Sequence, residues 1–259
     1  MTLMHHKVIY IELPSPEGAV YDYSRAVTYG FGFSKMSGEY KVVRIYQERV
    51  RDPSDHSLMS ILKSECWVYT LGTRSWRSIP PGYTFDYDSH SNGVFLSGNL
   101  HWLVGDLLKG PYLISCFNLE TELFHRLSTP TTLPETRTFL GGIVVLGDCL
   151  CICDNTSDDE IVIWVRKEYG VKKSWKKEIV ITRILDLDGE FDEIYHPLKV
   201  CPDGDILMWG EDDHLSYYSN KTKTIKKFER PPLDCDNAML HTSSFVSLKS
   251  FVIENVSAS

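Results

Sequence analysis

The sequence predicts an all-β protein, a β-propeller of about five blades whose first blade is incomplete. Two observations favour this fold: a strand-turn-strand unit recurs about every 50 residues, and a hairpin with a glycine turn alternates with it. A third is the scarcity of helical periodicity, with prolines such as Pro14 and Pro130 marking loops between the strands.

The first repeating unit is a short apolar strand, a turn containing Thr or Lys, and a bulky residue that opens a second strand. Its copies are Val68–Ile79, Cys116–Leu127, a looser one at Ile163–Trp175, and Leu215–Phe228. The bulky residues are separated by 48, 51 and 50 positions, and they are Trp76, Phe124, Trp175 and Ile225. Such a regular period indicates a repeated structural unit.

The second repeating unit is a hairpin in which β-branched and aromatic runs flank a turn such as Ser-Gly, Gly-Asp or Asp-Gly. Its copies are Tyr29–Ile45, Gly93–Leu103, Ile143–Ile152 and Leu198–Trp209. Together the two units give about four strands in ~50 residues, the range of kelch-like propeller blades. A single blade cannot bury both of its faces, so the blades are expected to stack around an axis.

A pair of β-sandwiches is the alternative fold, because strand spacing alone does not exclude it. We expect a single domain over residues 1–259, with residues 251–259 as a flexible tail. Loops carry the specificity of such a fold. The longest non-periodic stretches, and thus the candidate binding surfaces, are Gln47–Lys63, Pro80–Asn92, Ser128–Arg137, Ile184–His196 and Glu229–Met239.

Composition narrows the class of function. The net charge of −8 argues against a nucleic-acid partner, which usually requires a basic surface. No apolar run approaches the ~18 residues of a membrane span, and the N-terminus lacks the apolar segment of a secretory signal. The chain has seven cysteines, an odd number that indicates reduced thiols and a cytoplasmic or nuclear location.

The sequence carries no known catalytic or cofactor motif, so we expect no enzyme activity, no catalytic residues and no cofactor. The two glycines in Tyr29–Phe33 are interpreted as gaps for aromatic neighbours. Cys149–Cys153 has thiols at every second position, which favours a packed strand face over a metal site. The acidic clusters Asp186–Glu190 and Glu211–His214 are ordinary turn compositions, and we expect no metal.

Several of these segments resemble the plant F-box-associated domain, both in their order along the chain and in their amino-acid sequence. The most specific is Ile163–Trp175, which is similar to the signature W-x-[ML]-[KE]-E-Y-G-V-x-x-S-W of that family. Tyr29–Phe33 with Glu39–Arg44, Val68–Ile79, and Gly93–Phe95 with Leu100–Trp102 are also similar, and Ser243–Leu248 resembles the closing ESLVSL. The resemblance runs from about residue 7 to residue 250.

The resemblance implies a target-binding module of an SCF-type ubiquitin ligase receptor. In such receptors an N-terminal F-box docks on a Skp-type adaptor and, through it, on a cullin, while the associated domain holds the target protein. No F-box is found here, since the chain starts near Lys7–Pro14, the end of the family's NPSTR-x-x-x-x-LP segment. We therefore expect the adaptor and cullin as partners only where a missing F-box is supplied, from a longer protein or after loss from the gene.

The sequence leaves two other functions open: a propeller enzyme with residues meeting in the central channel, and a glycan or small-ligand binder. The ligand-binder hypothesis is based on the aromatic residues Trp67, Tyr83, Tyr87 and Trp209. For a protein target, aromatic and arginine side chains of the loops are the expected contacts, because such residues dominate interface hot spots. The predicted partner-binding residues are Tyr83, Phe85, Tyr87, Arg137, Phe191 and Tyr195.

Overall fold

A computed structural model describes residues 10–11, 25–51, 59–73, 75–82, 86–87, 92–105, 112–133, 140–182, 194–210, 214–228 and 256–257. The described chain is all-β, and β-strands account for nearly all of its regular structure; the exception is a 3-10 turn at Lys172–Ser174. No helix in these ranges is long and apolar enough to cross a membrane.

The strands form four sheets in a β-propeller arrangement, and we number these sheets as blades 1 to 4. Blade 1 consists of β2 (Arg25–Ser34), β3 (Glu39–Arg51), β4 (Met59–Thr70) and β5 (Trp76–Ile79). Blade 2 consists of β6 (Asp86–Tyr87), β7 (Val94–Leu96), β8 (Asn99–Gly105), β9 (Leu113–Asn118) and β10 (Phe124–Ser128). Strands β6 and β7 both pair with β8 and together form the inner edge of blade 2.

Blades 3 and 4 are antiparallel four-stranded sheets in which each strand pairs with the next in the chain. Blade 3 consists of β11 (Leu140–Leu146), β12 (Cys149–Asp154), β13 (Glu160–Arg166) and β14 (Trp175–Thr182). Blade 4 consists of β15 (Tyr195–Val200), β16 (Ile206–Gly210), β17 (His214–Ser219) and β18 (Thr224–Lys227). A separate two-stranded ladder joins β1 (Tyr10–Ile11) to β19 (Val256–Ser257).

The 50-residue period of the sequence corresponds to one blade. Trp76, Phe124 and Trp175 are the first residues of β5, β10 and β14, and Ile225 is the second residue of β18. These are the outermost strands of the four blades. The glycine-turn hairpins correspond to the first two strands of each blade, so the interpretation of both repeating units is confirmed.

The hydrophobic core lies between successive blades. Blades 1 and 2 share a cluster of Val43, Ile45, Cys66, Val68, Ile79, Tyr87, Leu100, Trp102, Val104, Phe117 and Leu119. Blades 2 and 3 share Ile114, Leu133, Ile143, Leu150 and Ile152. Blades 3 and 4 share Leu146, Cys151, Cys153, Ile161, Ile163, Val165, Ile181, Tyr195, Ile206, Met208 and Tyr218. Successive blades thus bury apolar faces against each other, as stacked repeats require.

Glycines make room for aromatic rings where blade 1 meets blade 2. The indole of Trp102, 2% exposed, lies against Gly93, where a Cβ atom would be 2.4 Å from its Cε2. At Gly30 a Cβ would be 2.7 Å from Cζ2 of the same ring, and at Gly32 it would be 2.5 Å from Phe95. The backbone N–H of Gly93 donates to the carbonyl of Tyr29 at 2.7 Å. The interpretation of the Tyr29–Phe33 glycines as gaps for aromatic neighbours is confirmed.

The predicted count of about five blades is not confirmed, and the blade beginning at Arg25 has all four of its strands. The sandwich alternative does not describe this arrangement. The ladder between β1 and β19 brings together segments from the two ends of the chain. Val256–Ser257 of that ladder falls within the stretch expected to be a flexible tail, residues 251–259.

Replacing Gly93 with Ala is expected to destabilise the protein by about 1–3 kcal/mol, because the added methyl group overlaps the Trp102 ring. Urea denaturation measures the effect. The control is the same substitution in a Trp102→Phe background, where the smaller ring removes the contacted atoms. An equal penalty in both backgrounds would show that the crowding against Trp102 is not the cause.

Candidate functional site

The antiparallel order of the strands divides the connections between two opposite faces of the propeller. In each blade the turns between the first and second strands and between the third and fourth strands emerge at the same end. These turns are short, and we call this end the short-turn face. Its described turn residues are 35–38, 71–73 and 75, 97–98, 119–123, 147–148, 167–174, 201–205 and 220–223.

The opposite end carries the long connections, and we call it the long-loop face. It is marked by the ends of the outer strands at Ile79, Ser128 and Thr182 and by the starts of the next inner strands at Leu140 and Tyr195. Four candidate binding stretches of the sequence analysis reach this end: Gln47–Lys63, Pro80–Asn92, Ser128–Arg137 and Ile184–His196. The first is predicted as a loop, but β3 extends to Arg51 and β4 starts at Met59, so most of it is paired strand. Four stretches that are far apart in sequence therefore reach one face.

Tyr87 is one of two predicted partner-binding residues within the described chain, and its ring belongs to the core. Its side chain is 3% exposed, and its hydroxyl shares a 2.6 Å hydrogen bond with Ser115. The ring meets Trp102 edge-on, with centroids 6.1 Å apart. Burial raises the pKa of the phenol well above its usual range. Tyr87 anchors β6 and offers no exposed aromatic surface.

Tyr195 is the second predicted partner-binding residue within the described chain, and it joins blade 3 to blade 4. The side-chain amide of Asn155 accepts from the Tyr195 N–H at 3.1 Å and donates to its carbonyl at 3.2 Å. The tyrosine ring is 7% exposed and meets His214 edge-on. The remaining predicted residues lie outside the described chain: Tyr83, Phe85, Arg137 and Phe191.

The aromatic residues that motivate the small-ligand hypothesis are buried or half-buried wherever they fall within the described chain. Trp209, like Tyr87, is buried, and Trp67 is half-buried, with its indole N–H donating to Glu65 at 3.4 Å. Tyr83 lies outside the described residues. Among the described residues these rings form no exposed aromatic platform.

The cysteine strand is a packed face, as its alternation indicates. Cys151 and Cys153 contribute to the core between blades 3 and 4, and Cys149 packs against the same cluster. Burial raises the pKa of the Cys151 thiol to about 12, so it stays protonated at neutral pH. Within the described ranges, no group of three or more His, Cys, Asp or Glu side chains is placed to hold a metal ion. The acidic clusters Asp186–Glu190 and Glu211–Asp213 fall outside those ranges.

A charged clasp that the sequence analysis missed joins blades 1 and 2 at the short-turn face. The carboxylate of Glu122, in the turn after β9, accepts from Lys41 at 3.0 Å and from Arg77 at 2.7 Å. The Lys41 ammonium also donates to the carbonyl of Leu119 at 2.8 Å and is almost fully buried. In the same turn Glu120 accepts from the Ser34 hydroxyl at 2.6 Å. The turn therefore holds the two blades in a fixed relation.

One signal could have found this clasp. Lys41 stands two residues before Val43 and four before Ile45, so strand alternation places it on the face that packs on blade 2. A lysine at a core-facing position requires an acceptor or a carboxylate, because an unpaired buried charge is costly. The sequence does not indicate which carboxylate it is.

Replacing Glu122 with Gln is expected to destabilise the protein by about 2 kcal/mol at pH 7, because it leaves the Lys41 ammonium buried without its carboxylate. Burial raises the Glu122 pKa, but hydrogen bonds from Arg77 and Lys41 outweigh it, and the net pKa lies below its usual value. A lowered folded pKa stabilises the protein above the unfolded pKa, and this stabilisation is lost as pH falls through the folded value.

Urea denaturation of wild type and E122Q between pH 7 and pH 3 measures this dependence. The difference between the two proteins should shrink toward the acid end. The matched control is Glu65→Gln, which breaks the more exposed pair of Lys63 and Glu65 and should cost less than about 1 kcal/mol. Equal losses in the two variants, or a difference independent of pH, would contradict the role assigned to Glu122.

These features define a class: a propeller whose blades are locked together by core and polar contacts, with long loops on one face. In this architecture rigid strands support the loops of that face. Comparison with known families is specific. The profile described as the F-box associated beta propeller domain matches residues 18–197, and the chain belongs to that family.

Curated relatives with this similarity are F-box proteins of Arabidopsis thaliana. F-box protein At3g07870 is 29% identical over 243 residues, which cover 83% of this chain and 57% of that protein. F-box protein At5g10340 is 25% identical over 227 residues, covering 85% and 48%. F-box protein CPR1 is 30% identical over 173 residues, covering 61% and 41%. The chain thus spans about half the length of the curated relatives it matches.

Proposed function

We propose that this chain is the target-recognition module of an SCF-type ubiquitin ligase receptor. The observation that carries the proposal is membership of the F-box associated propeller family, together with similarity to proteins named as F-box proteins. The module binds a target protein and performs no chemistry on it. Its contact with a Skp-type adaptor, and through that with a cullin, is made by an F-box on the same polypeptide or one joined to it.

The target binds on the long-loop face. Long connections supply variable side chains, whereas the short turns are occupied with contacts between blades, as Glu120 and Glu122 illustrate. Tyr83, Phe85, Arg137 and Phe191 are the predicted contacts on this face. Tyr87 and Tyr195 serve the same face indirectly, because their buried side chains fix the strands from which the neighbouring loops start.

A fifth blade covers the remaining face of blade 1. That face carries an aromatic cluster in which the Phe31 and Tyr40 rings stack with centroids 5.5 Å apart, and Phe33 lies 4.8 Å from Tyr40. Val42 and Arg44 on the same face are buried, which supports a covering layer. The ladder between β1 and β19 supports a blade shared by the two ends of the chain.

The protein acts in the cytoplasm or the nucleus. All six cysteines that the structure describes are free thiols, which supports a reducing compartment. The acidic net charge of −8 supports a protein target over a nucleic acid.

Fusing an F-box to the N-terminus of the chain tests the proposal. In a reconstituted reaction with Skp-type adaptor, cullin and ubiquitin-charging enzymes, a protein captured by the chain should be ubiquitinated only when the fusion is present. Substituting Tyr83, Phe85, Arg137 and Phe191 with Ala should reduce capture by about tenfold or more, since hot-spot truncation costs at least ~2 kcal/mol.

The matched control substitutes Met36 and Leu123 with Ser, because both are exposed hydrophobic residues on the short-turn face. These substitutions should leave capture and ubiquitination unchanged. Capture that survives the four long-loop substitutions but fails with the Met36 and Leu123 pair would place the target on the opposite face. A captured protein that the fusion never ubiquitinates would overturn the proposed role itself.

A further inference from the structure

Arg166 occupies a place that is aromatic in the other three blades. It is the residue of β13 opposite Trp175, the residue that opens the outer strand of blade 3. The corresponding pairs are Tyr69 with Trp76, Phe117 with Phe124, and Tyr218 with Ile225. Tyr69, Phe117 and Tyr218 are fully buried, so this place is part of the packed interior of a blade interface.

The guanidinium of Arg166 is buried, and two of its nitrogens have no acceptor among the described residues. The residue is 3% exposed, and these nitrogens, Nε and Nη1, are inaccessible to solvent. The guanidinium lies over the Trp175 ring, with its Cζ atom 5.5 Å from the ring centroid. Burial lowers the pKa of this group, in keeping with a charge removed from water. Such a charge is costly unless something pairs with it.

Within the described part of the chain, the side chains around Arg166 provide no negative charge. His101 of blade 2 has Nδ1 3.2 Å from the carbonyl of Val94, which requires a proton on Nδ1 and leaves Nε2 as the acceptor for the Tyr169 hydroxyl at 2.7 Å. Burial lowers the pKa of His101 to about 4, with smaller contributions from His125 and Arg166, so its ring is neutral at pH 7.

The thiol of Cys116 completes this cluster. Its Sγ is 3.6 Å from the Tyr169 hydroxyl, and burial raises its pKa to about 12, so it is also uncharged. Among the described residues, the groups that act electrostatically on Arg166 are Tyr169 and Cys116, and no carboxylate is one of them. No carboxylate of the described residues therefore pairs with Arg166.

We propose that Arg166, beside Tyr169 and His101, binds an oxyanion, either a carboxylate or a phosphate. Arg166 supplies the charge and two N–H donors, because guanidinium groups recognise such anions through charge-assisted hydrogen bonds. Tyr169 is partly exposed and lies in the turn of residues 167–174, so it forms the solvent side of the site, while its hydroxyl proton is donated to His101. The site belongs to the short-turn side and does not depend on where the target binds.

Packing alone does not account for Arg166. In blades 1, 2 and 4 this place is filled by Tyr69, Phe117 and Tyr218, none of which carries a charge. An aliphatic side chain could stack on Trp175 without the cost of an unpaired charge. A bound anion that pairs with the guanidinium accounts for an arginine at this position.

Nuclear magnetic resonance of the arginine Nε–H signals tests the site directly. The full chain is titrated with sodium phosphate and, separately, with sodium acetate, at constant ionic strength set with sodium chloride. One Nε–H signal, assigned to Arg166 through its own side-chain carbons, should shift and saturate. The anion that saturates at the lower concentration identifies the preferred chemistry, phosphate or carboxylate.

The comparison variant is Arg166→Met, which removes the charge and keeps an unbranched side chain on Trp175. It should weaken anion binding by about tenfold or more, and the anion should raise the Tm of wild type but not of this variant. Arg126→Met, at an exposed arginine of β10, is the matched control and should keep the wild-type response. The absence of a saturable Arg166 shift with either anion, or equal affinity in R166M, would overturn the proposal.

Discussion

The contact of Trp102 with Gly30 and Gly93 sets the spacing on which the propeller depends. Without side chains at these glycines the inner strand of blade 1 approaches blade 2 closely enough for the indole to fill the gap. Its N–H donates to Thr28 at 3.1 Å, so the ring is fixed in orientation as well as in position. Tyr87, Leu100 and Val104 then pack around it and form the first of the cores between blades.

Those parts of the structure that follow from local pattern were predictable from the sequence. The strand-turn-strand period fixes which residues open the outer strands, because strand length and turn length repeat within each blade. Alternation likewise places Cys151 and Cys153 on one buried face, since successive side chains of a strand point to opposite sides. Glycines between aromatic residues indicate close packing, although the sequence does not reveal that Trp102 is the partner.

Contacts between residues far apart in the chain were not predictable in the same way. Lys41 and Glu122 are 81 positions apart, and nothing near either residue identifies the other. As an aromatic residue in a long loop, Tyr87 is a predicted binding residue. The two-residue strand β6 pairs with β8, however, and places the Tyr87 side chain in the core. The predicted number of blades is not confirmed, because a period of 50 residues gives the length of a blade and not how many complete the ring.

The turns that clasp one blade to another have a direction along the chain. The turn after β9 in blade 2 reaches back to Ser34 and Lys41 of blade 1, and Tyr169 of blade 3 reaches back to His101 of blade 2. In both cases a turn of the later blade makes the contact, and its partners are strand residues of the earlier blade. During synthesis from the N-terminus, each new blade can therefore lock onto one that is already complete, and assembly can proceed in the order of translation.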